Sequence, residues 1–78
     1  MTYDTFQSLT KGSRLKRTGL VRSYPVVRIG KQDDRRVVYV CLNPLAVEKR
    51  NASPLEFGIF ASKDLNDSTH YLNWEKIS

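Results

Sequence analysis

The chain has 78 residues, with 13 Lys or Arg against 8 Asp or Glu, a net charge of +5, one Cys and one His. That length makes a single domain burying only about 60–65% of the surface its unfolded chain exposes, so an exposed binding face suits it better than a deep catalytic cleft. No run approaches the ~18 apolar residues of a membrane helix, and MTYDTFQSLTKG lacks the basic-then-apolar order of a secretory signal, so with a lone Cys the expectation is a cytoplasmic protein without membrane contact.

Tyr3, Phe6 and Leu9 recur at a spacing of three with polar residues between them, which predicts a short N-terminal helix. Thr2 or Asp4 suits its start, and Gly12 suits the left-handed position just past its end. Ser13–Arg17 alternates around Leu15 and reads as a first strand, broken by Thr18-Gly19. Residues 20–25 lead into a second strand at 26–30, where Pro25 belongs at the beginning or on an edge because it cannot donate to a ladder. Lys31-Gln32-Asp33-Asp34 carries turn chemistry and predicts a hairpin loop. Arg36–Leu42, RVVYVCL, is apolar on both faces and predicts a central strand paired with the second.

Asn43-Pro44 suits either one helical turn over Leu45–Lys49 or an irregular loop. After the break at Ser53-Pro54, Glu56–Ala61 alternates as a fourth strand, with Phe57, Ile59 and Ala61 on one face and Gly58 marking a bulge. The polar segment 62–69 is followed by HYLNWEKI, a fifth strand or a terminal helical turn. The expected fold is mainly β: a small SH3-like antiparallel barrel, or a strongly bent sheet of four or five strands, with a short N-terminal helix. An open α+β sheet with the helix laid across it is the alternative.

Catalytic chemistry finds little to work with. A nucleophile and base need a tuned pair in a pocket, whereas Cys41 lies inside a strand as an expected core thiol and His70 lies in a polar stretch as an expected surface imidazole. One His, one Cys and no calcium-loop spacing of carboxylates supply no metal pattern, and no cofactor motif occurs. The chain therefore reads as non-enzymatic, and an enzyme with its site at an oligomer interface ranks last.

The charge is unevenly divided. Residues 1–39 hold nine Lys or Arg against three Asp, a net +6, while residues 40–78 hold four against five acids, a net −1. A contiguous basic half is the footprint expected of a protein that meets an anionic partner, although solvated strand edges also carry Lys and Arg. The candidate site residues are Arg14, Lys16, Arg17, Arg22, Arg28, Arg35 and Arg36, with Tyr24 as the stacking face for an unpaired base; Tyr39 and Trp74 belong to the core. The expected ligand is nucleic acid or another phosphate-bearing molecule.

The chain ends add a resemblance. TFQSLTKGSRLKRTG is similar to the opening of phage Thoeris anti-defence proteins of the nucleotide-sponge type, with a short helix, a Lys-Gly turn and a basic strand. Ser62, Asp64, Leu65, Trp74 and Glu75 follow in an order that resembles their closing segment. The match covers about a third of the chain and lacks the family's Gly-Trp-Asn-Gly signature, since Thr18-Gly19-Leu20 stands after the first strand. The resemblance implies a non-enzymatic homo-oligomer that sequesters a small signalling nucleotide through basic residues. A phage- or mobile-element-type inhibitor of a host defence protein is the corresponding alternative to a nucleic-acid-binding module.

Overall fold

A computed structural model describes residues 1–78. In chain order it contains α1 (Tyr3–Ser8), β1 (Arg14–Arg17), β2 (Ser23–Gln32), β3 (Arg35–Cys41), α2 (Pro44–Glu48), β4 (Glu56–Ile59), a 3-10 turn (Tyr71–Asn73) and β5 (Trp74–Lys76). The five strands form one antiparallel sheet in the order β4-β3-β2-β1-β5. The mainly β fold with its short N-terminal helix is therefore as the alternation predicts. No helix is long and apolar enough to cross a membrane.

β2 is the long member, and it serves two ladders. Its first residues pair with β1 (Leu15 opposite Tyr24), and from Val26 onward it pairs with β3. Pro25 lies just before the β3 ladder begins, so its missing N–H removes no bond from that ladder. Val26 opposes Val40 and Arg28 opposes Tyr39, which leaves Val27 as an extra residue on β2. Such a bulge bends a strand and increases its twist, here where β2 passes from one neighbour to the other. The bulge expected at Gly58 is absent: Gly58 pairs regularly with Tyr39.

The hairpin is tighter than the expected four-residue loop. Lys31 pairs with Arg36 and Gln32 with Arg35, leaving only Asp33 and Asp34 at the turn. Both have positive φ, 51° and 62°. Two left-handed central residues make the primed turn whose twist matches antiparallel strands.

One face of the sheet carries the core. Leu15, Val26, Val38, Val40, Ile59 and Trp74 come together under Phe6 and Leu9 of the N-terminal segment. A six-residue helix is too short to persist alone. Thr2 caps it, its hydroxyl accepting from the Thr5 amide at 3.2 Å, and burial of Phe6 and Leu9 contributes roughly 1.5–3 kcal/mol each. Gly12 is left-handed (φ 98°), but it serves a separate turn after the helix, closed by the Ser13 amide donating to the Thr10 carbonyl.

Other expectations at the chain's second half resolve in specific ways. Pro44 opens α2 as expected, but Asn43 does not cap it. Its side chain instead ties the following loop, accepting from the Leu55 amide (2.8 Å) and donating to the Ser53 carbonyl (2.9 Å). The end of the chain is both things its sequence allows, a 3-10 turn running directly into β5. His70 is not at the surface. It is buried beside Tyr71, with ring centroids 4.8 Å apart, and its Nδ1 accepts from the Leu72 amide at 3.1 Å. Cys41 is buried as expected, its thiol donating to Asn43 Oδ1.

Candidate anion-binding site

Strand alternation sorts the basic residues. Arg14 and Lys16 lie on the outer face of the sheet, away from Leu15, and Arg28 shares that face beyond the bulge. Arg17, opposite Trp74, is on the face of Leu15. The eight candidates therefore do not form one stripe.

The middle of the outer face neutralises itself. The Lys16 ammonium lies 3.1 Å from Glu75 Oε2 and also donates to the Leu20 carbonyl. Arg28 lies 3.0 Å from Glu56 Oε2, and its guanidinium stands 3.8 Å from the centroid of the Tyr39 ring. The hydrogen bond to Glu56, outweighing desolvation, raises the Arg28 pKa above its ordinary value. Tyr39 is thus half-buried on the outer face, with Arg28 over it, and not in the main core. A Cβ on Gly30 would meet its ring at 3.3 Å, while one on Gly58 would meet Val37 Cγ1 at 3.1 Å and the ring at 3.4 Å. Gly30 thus leaves room for the ring, and Gly58 leaves room above all for the Val37 side chain beside it.

Tyr24, expected as an exposed stacking platform, packs against the core, 6.4 Å edge-on from Trp74. Arg22 stands over it at 5.8 Å. Arg36 is half-buried. Its Nε donates to the Phe6 carbonyl at 3.2 Å and its Nη2 to the Leu9 carbonyl, so it closes the C-terminal end of α1. Helix ends leave such carbonyls without partners, and a cation there also meets the negative end of the dipole.

Unpaired positive charge remains at the two ends of β2. At one end Arg14 reaches across to Ser23 on the outer face, 3.1 Å from its hydroxyl, while Arg17 and Arg22 flank the β1–β2 turn, Arg17 on the side of Leu15 and Arg22 over Tyr24. At the other end the hairpin tip, α1 and the segment after β4 border a half-open cleft of about 600 Å³. Lys31, Arg35, Arg36 and Lys63 line it with a single carboxylate, Asp34, and Tyr3 supplies a half-exposed ring. A smaller hollow of about 350 Å³ shares Arg35 and Lys63 with it. Nine residue steps at about 3.3 Å each separate the ends of β2 by roughly 30 Å. Lys31, Lys63 and Tyr3 are the members that sequence reasoning missed. Lys63 lies outside the basic half, and nothing in the residues around it signals that the chain folds back to the hairpin.

Comparison of the chain with models of known families, with curated proteins and with solved structures finds no match.

Proposed function

We propose that this protein is a non-enzymatic binding domain that meets the phosphates of nucleic acid through the uncompensated cations of its basic half. The observation that carries this reading is the distribution of pairing. The molecule makes only two ion pairs, both on the middle of the outer face, and leaves Arg14, Arg17, Arg22, Lys31 and Arg35 without a carboxylate partner. Six of its eight acids take no part in ion pairs, so partners exist in the chain and are not placed against these cations. A straight β2 would set its two ends roughly 30 Å apart, so with the bend at Val27 the cations at those ends reach over no more than about nine phosphate steps of one strand. The strand order, with a 3-10 turn before the last strand, supports an SH3-like plan for the sheet. Lys16 and Arg28 join the contact only by exchanging internal partners, whereas Arg36 keeps its two carbonyl bonds and has donors left over.

The test is a salt titration of binding to single- and double-stranded DNA and RNA. Each phosphate contact contributes about −0.9 to the slope of log K against log salt with a duplex and about −0.7 with a single strand. Replacing Arg14, Arg17 and Arg22 by Gln is expected to shallow that slope by about one unit per lost contact. The matched control replaces Lys49, Arg50 and Lys76, which lie outside both clusters. Equal weakening by the two sets would make the charge a solubility device. If the unmutated protein ignores every nucleic acid, the inhibitor reading replaces this one, with a host protein or a signalling nucleotide as the partner.

A further inference from the structure

We infer that the cleft at the hairpin tip is a phosphate-monoester site for a nucleoside, with the dianion among Lys31, Arg35, Arg36 and Lys63 and the base against Tyr3. Three features of the cleft point there together. Its volume, about 600 Å³, lies in the range of small-ligand sites. Four cations from three separate segments converge on it against one carboxylate, Asp34. A monoester carries close to two charges at neutral pH and three acceptor oxygens, where an internal diester carries one charge, so a concave excess of cations favours the monoester.

The third feature is Arg36. Two of its N–H groups are bound to the Phe6 and Leu9 carbonyls, which holds the guanidinium in place at the cleft wall. Three of the five donors of an arginine remain for a ligand. A cation already ordered by the fold loses less freedom on binding than a solvated lysine. Tyr3 is 54% exposed and is braced edge-on by Tyr71 at 5.9 Å, so it offers a ring that does not have to be rearranged. The walls come from α1, from the hairpin and from Ala61–Lys63. The same chemistry is presented by a free nucleoside monophosphate and by the 5′ end of a strand. This inference rests on the reading that the basic charge meets phosphate, and it adds a discrete end to it.

The test compares adenosine monophosphate, adenosine, and one short single strand made with a 5′-phosphate and with a 5′-hydroxyl. The expected result is that the monophosphate binds and adenosine does not, and that the phosphorylated strand binds at least about tenfold more tightly than its hydroxyl twin, a difference of about 1.4 kcal/mol. Lys63→Gln, exposed, free of structural bonds and outside the cations assigned to the strand, is expected to reduce that difference while leaving affinity for the hydroxyl strand unchanged, and adding Lys31→Gln is expected to abolish the difference at the cost of the one strand contact that Lys31 makes. Tyr3→Leu is expected to weaken the monophosphate and leave inorganic phosphate unaffected. Binding of the monophosphate without a gain for the phosphorylated strand assigns the site to free nucleotides. Equal affinity of the two strands with no monophosphate binding overturns the cleft site and leaves the strand-binding reading standing. Loss of all strand binding with the monophosphate retained would do the reverse.

Discussion

Arg36 has two roles pulling on one side chain: it closes the carbonyl end of α1 and lines the cleft. Arg36→Met keeps the length of the side chain and removes every donor. The Leu9 carbonyl is then left without a donor, while that of Phe6 keeps the Leu9 amide, and the loss is expected to lower stability by about 1–3 kcal/mol, read as a drop in melting temperature; a variant melting with the parent would show that the helix end is satisfied by water. A charge pattern cannot reveal such a role, because a guanidinium facing helix carbonyls and one facing solvent look alike in sequence. The same blindness hid His70, whose burial depends on Tyr71 folding back over it. Asp67 gives a second test at this scale. The Thr69 amide donates to its carboxylate at 2.9 Å and lowers its pKa below the ordinary 3.8. A depressed folded-state value stabilises the fold above the unfolded value, and that stability is lost as pH falls from about 3.8 through the folded value. Asp67→Asn is therefore expected to flatten the acid limb of a stability–pH curve and leave the neutral limb parallel to that of the parent. An unchanged acid limb would remove Asp67 from the acid response.

The β2–β3 hairpin shows what period and turn chemistry convey about an element. The apolar residues of VVRIG, the turn chemistry after them and the two-faced run RVVYVCL are enough for the pairing, and β3 is an interior strand between β2 and β4. Two aspartates next to each other were enough for a turn but not for its length, because Lys31, Gln32 and Arg35 are as compatible with a loop as with a strand end. The place of the bulge is hidden from the sequence for a related reason. Gly58 reads as a bulge residue, but its lack of a Cβ makes room for the side chains of Val37 and Tyr39, while the bulge falls on Val27, whose side chain announces nothing. The turn itself carries strain that can be removed. Asp33 and Asp34 both hold left-handed φ, a conformation costing a non-glycine residue roughly 1–2 kcal/mol, less for Asp and Asn. Replacing the pair by Asn-Gly is expected to stabilise the protein by about 1 kcal/mol, which raises the melting temperature by about 4–8 °C in a domain of this size. No rise would mean that the aspartates already hold the turn through their own side chains.

At the scale of the whole molecule the question is whether two ladders make one cooperative unit. β5, β1 and the start of β2 form one, while the remainder of β2, β3 and β4 form the other. Only β2 belongs to both, and it bends at Val27 where it changes partners. The core bridges that bend: Leu15 and Trp74 from the first ladder pack with Val38, Val40 and Ile59 from the second, and Val26 sits among them at 2% exposure. The first and last residues reinforce the link, since the Met1 ammonium donates to the Trp74 carbonyl and the Arg14 amide to that of Ser78. With 12 buried residues in all, neither ladder holds enough apolar surface to stand without the other. Val26→Ala is thus expected to cost about 1–3 kcal/mol and to move every probe together. Trp74 fluorescence reports on the first ladder, and labelling of Cys41, slow in the native state because the thiol is buried, reports on the second. Coincident denaturant transitions for the two, in parent and variant alike, are the expected outcome. If Cys41 becomes reactive at a denaturant concentration where Trp74 is still native, the sheet is two units hinged at Val27, and binding at the two ends of β2 would then involve parts that move independently.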